Sequence, residues 1–265
     1  MEGNTKKVAI IGYGFVGKAT EFLLDEFFPG TEILIHDPEQ GEEIENWKGI
    51  QYAFICVPTN LKDGKLDDSI IDKVLNDLTK RSCADTVLPV IRSTIGPDQA
   101  TIFVRKYGAI IMPEFLREKH WKEDVLDNKI PLLIGAIPNT HQDFLLWMGS
   151  SFTAGTLKQR FITSPGVAST IKIYRNAFLA VNVGLANDIK GVCDIYDLDY
   201  RDVKEFFMSD KTLGNHWQVP GPDGKSGFGG TCLPKDLTHA SSLCYNENNI
   251  MKTALEANKS RRDDE

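Results

Sequence analysis

Val8-Ala9-Ile10-Ile11-Gly12-Tyr13-Gly14-Phe15-Val16-Gly17 is the stretch whose reading decides the fold. Its first four residues are an apolar run of the length that forms a strand buried on both faces of a parallel sheet. Lys18 to Phe28 then carries Ala19, Phe22, Leu23 and Phe27 at helical spacing, and Pro29-Gly30 ends it. Glu32 to Asp37 reads as a second strand that finishes on a carboxylate. A GxGxxG turn between a strand and a helix, with an acidic residue closing the next strand, is a dinucleotide-binding fingerprint. Its glycines allow the tight turn and a close backbone approach, and a pyrophosphate is attracted to the helix N-terminus. Asp37 is then positioned for the hydroxyls of an adenosine ribose. A carboxylate there repels a 2′-phosphate, which favours NAD over NADP. His36 reads as a strand residue and not as a ligand.

Outward from this turn, strands and helices alternate, which predicts an α/β doubly wound sheet. Tyr52 to Val57, Thr86 to Ile91, Ala109 to Met112, Pro131 to Ile134 and Phe161 to Thr163 read as strands. Asp67 to Lys80, Pro97 to Lys106 and Asn139 to Met148 read as helices. Ligands of such sheets bind beyond the carboxyl ends of the strands. Val57-Pro58-Thr59, Ser93-Thr94 and Pro113 to Glu118 fall there and are candidate site residues. The alternation stops between Phe161 and Pro165. Residues 1–163 are therefore expected to form a Rossmann-like domain, and 164–265 an all-α central domain. Val167 to Tyr196 predicts one long helix, on which Lys172 and Asn176 stand one turn apart. Tyr200 to Met208 predicts another. A Pro/Gly-rich loop from Thr212 to Thr231 leads into helical sequence from Leu233 onward.

The loop ends in Ser226-Gly227-Phe228-Gly229-Gly230-Thr231-Cys232-Leu233-Pro234-Lys235-Asp236. A cysteine at the start of a helix, with Lys235 near it, is a place where a thiolate can be stabilised. Asp236 follows four residues later and shares its helix face. Five cysteines (Cys56, Cys83, Cys193, Cys232, Cys244) include no CxxC pair. Their odd number suits a reducing compartment, a cytoplasmic location is expected, and no metal site is. The net charge of −7 argues against a general nucleic-acid binder. No apolar run is long enough to span a bilayer, so no membrane partner is expected.

These segments, taken together, resemble the UDP-glucose/GDP-mannose dehydrogenase family. Gly12 to Gly17 resembles its cofactor turn, and Val57-Pro58-Thr59 its VPTP segment. Ser93-Thr94-Ile95 is similar to its ST-V strand end, and Pro113 to Glu118 to its PEFLREG helix start. Lys172-x-x-x-Asn176-Ala177-Phe178-Leu179-Ala180 looks like its K-x3-NAFLA helix, which continues here into Asn187-Asp188. Gly227 to Asp236 is nearly letter-perfect. The resemblance implies NAD-dependent oxidation of the C6 alcohol of a nucleotide sugar to the acid, by a dimer joined through the long helix. It implies Cys232 as nucleophile, Lys172 and Asn176 as oxyanion partners, and Asp236 with Thr94 in proton transfer. Glu114 is then the candidate to activate water, and Glu118 lies nearer the nicotinamide. Glu114, Phe115, Leu116, Lys172, Asn176, Phe228 and Gly229 are implied substrate contacts.

Departures accompany the matches. Asn60, Met112 and Ser169 stand where the family has other residues, and Thr212 takes the place of a usual arginine. Gly96-Pro97-Asp98-Gln99 replaces its P-x-G-T-like turn. Residue 265 falls about where the family's connecting helix leads toward a third, nucleotide-binding domain. Nucleotide contacts are therefore expected from the central domain, a partner subunit or a separate protein. Two other readings remain open. One is a two-domain β-hydroxyacid dehydrogenase using Lys172 and Asn176, and the other is a non-catalytic relative that binds NAD or a sugar nucleotide.

Overall fold

The structure is a computed structural model that describes residues 6–81, 87–127, 131–153, 159–210, 213, 218–244 and 249–263. Seven strands form one sheet among these residues: β1 (Lys7–Ile11), β2 (Glu32–His36), β3 (Tyr52–Ile55), β6 (Leu88–Ile91), β7 (Ile110–Ile111), β8 (Leu132–Gly135) and β9 (Arg160–Thr163). Their order is β2-β1-β3-β6-β7-β8-β9, parallel throughout except where β7 meets β8. Val8 pairs with both Ile33 and Tyr52, and the same register carries Ile11 to His36 and Ile55. The ends of these strands therefore lie side by side, which is how a parallel sheet brings loops distant in sequence to one edge.

Helices α1 (Phe15–Phe27), α2 (Ser69–Arg81), α3 (Pro97–Tyr107), α4 (Trp121–Asp127) and α5 (Gln142–Thr153) connect the strands. The central strands β1, β3 and β6 bury both faces because they are apolar at nearly every position. Ala9, Ile11, Ala53, Ile55 and Ile91 pack on one side with Ile71, Leu75, Phe103 and Ala168. Val8, Ile10, Phe54, Val90 and Ile134 pack on the other with Leu24, Phe144 and Met148. Gly135, closing β8, has no Cβ because one would come within 2.7 Å of Ala168 and 2.8 Å of Pro165. The bare backbone lets the next helix begin directly against the sheet.

That helix, α6 (Pro165–Ile195), is followed by α7 (Tyr200–Ser209), α8 (Cys232–Ser242) and α9 (Ile250–Asp263). Contacts divide the chain into two compact units, Met1–Asn60 with Asp67–Lys172, and Leu61–Leu66 with Ile173–Glu265. The first turns of α6 go with the sheet, where Ala168 and Ile171 join its core. From Ile173 on, Ala177 and Ala180 pack with Phe228, Leu237, Ala240 and Met251 in a separate core.

Several expected boundaries move by a few residues. Helix α1 starts at Phe15, directly after the glycine turn, and not at Lys18. The expected strand residue Thr86 lies outside the described residues, as do Cys83, Thr212 and residues 214–217 of the loop that Thr212 opens. A hairpin of β4 (Leu61–Lys62) and β5 (Lys65–Leu66) was not foreseen. Asp63 and Gly64 form its turn at φ 52 and 75, the left-handed pair that Asp-Gly accommodates. The hairpin belongs with the helical unit, where Leu66 N–H donates to His239 Nδ1 on α8 at 3.3 Å.

Phe54 is fully buried and faces Phe144 and Trp147 across the sheet–helix layer. Phe54→Ala should lower the unfolding free energy by about 3–5 kcal/mol, measured as a shift in the urea midpoint with an unchanged slope.

Candidate active site

The glycine turn closes the end of β1. Gly12 has φ 85, and a Cβ on it would stand 3.0 Å from the Cys56 backbone beyond β3. A Cβ on Gly17 would run into the Gly12 carbonyl, so α1 can lie against its own turn only with glycine here. Around Gly14 the space is open, and as the N-cap of α1 it offers no side chain to the first N–H groups. The first turn of α1 also carries no acidic residue. This donor set, with open space beside it, fits an anionic pyrophosphate. Asp37 Oδ2 accepts the Tyr13 N–H at 2.7 Å and Gln40 Nε2 at 2.8 Å, which ties the end of β2 to the turn. Desolvation would raise the Asp37 carboxyl, but these N–H donors outweigh it and hold it below its ordinary value. Phe15 and Val16 are the first residues of α1, and Val16 packs into the sheet core.

Beyond β3 and β6, Ser93 Oγ donates to the Val57 carbonyl at 2.6 Å, fastening the two strand ends together. Thr59 is buried, Pro58 exposed, and Thr94 half-buried next to Ser93. Cys56 is buried against Thr20, and burial pushes its thiol up to about 11, which leaves it protonated and inert.

Glu114 follows β7 and is buried. Lys172 Nζ reaches its carbonyl at 2.7 Å and its Oε1 at 3.0 Å, while Oε2 accepts the Leu116 N–H at 2.6 Å. The same ammonium stands 5.5 Å from the Phe115 ring. Burial alone would raise the Glu114 carboxyl. The Lys172 ammonium, the Leu116 N–H and the Arg92 guanidinium together hold it below its ordinary value. Arg92 was missed in the sequence. It is 3% exposed at the end of β6 and donates to the Met112 carbonyl at 3.4 Å. A cation directly after the apolar run Leu88–Ile91 was the available signal. Glu118 is exposed in a short 3-10 turn ahead of α4.

In the helical unit, Asn176 Nδ2 donates to Asp236 Oδ2 at 2.6 Å, and Asp236 is completely buried. Its Oδ1 lies 3.5 Å from Lys235 Nζ. Cys232 is the first residue of α8 and half-buried, with Thr231 Oγ1 at 3.8 Å from its Sγ. Cys232 and Asp236 therefore stand one turn apart on α8, as Lys172 and Asn176 do on α6. The Phe228 ring is inside the helical core, and Gly229 lies against Arg262 of α9. A thiol at a helix N-terminus can act as a nucleophile, and a buried carboxylate one turn on can handle protons. A cavity of about 630 Å³ lies elsewhere, at the starts of β1, β3 and β6, lined by Lys6, Gln51, Tyr52, Leu88 and His141 among others. It contains none of the candidate residues. Among the described residues no group of His, Cys, Asp and Glu could hold a metal, and no helix is long and apolar enough to cross a membrane.

Residues 166–260 match the central domain of the UDP-glucose/GDP-mannose dehydrogenase family. A UDP-glucose 6-dehydrogenase of Rickettsia bellii is 27% identical over 91% of this chain, which spans 56% of that protein. Among solved structures, a UDP-glucose dehydrogenase of Pyrobaculum islandicum has TM-score 0.77 at 22% identity, covering 98% of this chain and 69% of its own. A 3-hydroxyisobutyrate dehydrogenase of Mycobacterium tuberculosis has TM-score 0.70 at 15% identity, covering 98% and 94%. At these identities the two structures share the fold, and the fold alone does not choose between their chemistries.

The Glu114–Lys172 pair yields a prediction. Glu114→Gln or Lys172→Met alone should destabilise by about 3–5 kcal/mol, and the double variant by less than the sum, because one charge is no longer stranded. A carboxyl depressed in the folded state contributes stability that is complete above its ordinary value of 4.5 and is lost as pH falls through the folded value. Urea midpoints taken below pH 4.5 should therefore fall more steeply for the parent than for Glu114→Gln.

Proposed function

From the match of residues 166–260 to the central domain of the UDP-glucose/GDP-mannose dehydrogenase family, we propose that the chain oxidises the C6 alcohol of a nucleotide sugar to a carboxylate. The observation that carries this reading is the half-buried Cys232 opening α8, one turn before a fully buried Asp236 held by Asn176. A simple alcohol dehydrogenase has no use for a nucleophile there.

The Gly12–Gly17 turn, Asp37 and the Val57-Pro58-Thr59 and Ser93-Thr94 strand ends would hold NAD, which would supply a hydride acceptor for each of two oxidations. The chain's own residues do the rest. Lys172 and Asn176 stabilise the alkoxide that forms as the C6 hydroxyl loses its proton. Loss of the first hydride from C6 turns that alkoxide into the aldehyde, to which the Cys232 thiolate adds, forming a C–S bond and a thiohemiacetal. Loss of the second hydride from that carbon leaves a thioester. Water attacks the thioester carbonyl, the C–S bond breaks, and the sugar acid leaves with the thiolate restored. Asp236 and Thr94 hold the water and move its proton, and Glu114 accepts a proton in the hydrolysis. Phe115, Leu116 and Gly229 shape the sugar subsite, and Glu118 the nicotinamide side, while Phe228, expected from the sequence as a substrate contact, has its ring in the helical core and both backbone groups on Asn258, and supports the loop instead.

We further propose a homodimer through α6. Phe178, Leu185 and Val192 are exposed at a seven-residue spacing, and Ile195 and Tyr196 continue the stripe. An apolar seam of this period suits a second helix.

A second reading keeps one observation in its favour. The fold likeness to the 3-hydroxyisobutyrate dehydrogenase covers nearly the whole of both chains. That reaction is a single two-electron step and needs no thiol.

Incubation of the purified chain with NAD⁺ and a panel of UDP- and GDP-sugars tests the proposal. The expected result is two NADH per sugar, abolished by Cys232→Ser. A single NADH per substrate, unaffected by that change, would favour the second reading instead. For the assembly, Leu185→Glu should convert a dimer to a monomer in light scattering. An unchanged mass would remove α6 as the interface.

A further inference from the structure

The glycine loop before Cys232 is gripped from two helices of its own unit. Gly227 N–H donates to Asn187 Oδ1 of α6 at 2.7 Å. Phe228 N–H donates to Asn258 Oδ1 of α9 at 2.7 Å, and the Phe228 carbonyl accepts from Asn258 Nδ2 at 3.0 Å. Both ends of one buried amide are thus spent on a single residue, four positions ahead of the thiol. The packing is equally close. A Cβ at Gly227 would collide with Asn258 Oδ1, and one at Gly229 would collide with the Arg262 guanidinium and come within 2.7 Å of Asp223 Oδ2. Arg262 in turn donates to Asp223 at 2.7 Å, and Arg261 pairs with Asp188 of α6. At residues 227 and 229 the missing Cβ makes room for α9.

We propose that Asn258 is a positioning residue for Cys232: by holding both backbone groups of Phe228 it fixes the loop that sets where the thiol stands at the start of α8. Arg262 supports it through Asp223. A rigid link follows from the geometry, since any displacement of α9 moves the Phe228 backbone and, with it, the residue that opens α8. The catalytic meaning of this placement rests on the dehydrogenase reading above, because a misplacement of about 1 Å can cost a reaction about a hundredfold. The placement itself does not depend on that reading.

The test therefore needs no substrate. Iodoacetamide alkylation is followed at each cysteine by peptide mass spectrometry in the full chain. Cys244, which packs into the same core after α8, serves as the internal reference. Asn258→Ala should raise the Cys232 rate about tenfold, the scale of a lost pair of buried hydrogen bonds, with Cys244 unchanged. Asn258→Asp keeps the acceptor for Phe228 N–H but loses the donor, and should give an intermediate rate. If the alanine variant does not fold, the aspartate variant and Arg262→Lys carry the same comparison. An unchanged Cys232 rate in folded variants would overturn the proposal. So would a parallel rise at Cys232 and Cys244, which would mean that Asn258 merely holds α8 together.

Turnover separates this inference from the functional one. If the parent chain produces NADH, Asn258→Ala should lower kcat with little change in KM. An active parent whose Asn258→Ala variant is unchanged in both measurements sinks the positioning role and leaves the function standing. An inactive parent with the expected alkylation pattern does the reverse.

Discussion

Lys172 Nζ is buried with the carbonyl and the carboxylate of Glu114 as its partners. A lone buried ammonium or carboxylate would be driven to its neutral form, and each ion here is tolerable because the other is present. The pair ties the segment after β7 to the second turn of α6. Ala168 and Ile171 place that turn, packing on the sheet, and Gly135 makes room for Pro165 and Ala168. The beginning of α6 is thereby fixed by the Rossmann-like unit. Its continuation from Ile173 onward organises the helical one, and Asn176 binds Asp236 there. One unbroken helix therefore carries a cation that belongs to one unit and an amide that belongs to the other.

Much of this was legible because parallel sheets write themselves as runs rather than as alternations. Val8 to Ile11 and Tyr52 to Ile55 are apolar at every position since both faces are covered, and the turn chemistry at Gly12 and Gly17 is forced by backbone contacts. The start of α1 was read three residues late because Phe15 and Val16 look like loop residues until Gly14 is understood as an N-cap. The β4–β5 hairpin escaped for the opposite reason. Its strands are two residues each, too short for any period, and only Asp63-Gly64 announced it. Arg92 is harder still. A cation at a strand end reads as solvent-exposed, and its burial is decided by Cys56, Met112 and Glu114, which arrive from other loops.

The same division holds among the glycines. Gly12, Gly17 and Gly135 are small because backbone or a helix presses on them. Gly14 has open space where a Cβ would be, as Gly184 and Gly191 on α6 also do, so packing does not require glycine there. Sequence alone gives all of them the same letter, and the surroundings of the missing Cβ tell which of them packing requires to be glycine.

At the loop before Cys232 the same comparison bears on the Gly227-Phe228-Gly229-Gly230 string. A glycine-rich run ahead of a cysteine suggests a backbone kept bare for a ligand. Around Gly227 and Gly229 the space is already filled by Asn258, Arg262 and Asp223, whereas around Gly230 it is open. Most of the loop's conformational restriction therefore comes from α9, and Phe228 adds an anchor by burying its ring in the helical core. A flexible loop would leave a nucleophile to find its position on each turnover, at an entropic cost. A loop clamped at successive peptide groups from α6 and α9 has met that cost during folding, and the thiol at the head of α8 inherits the rigidity of both helices.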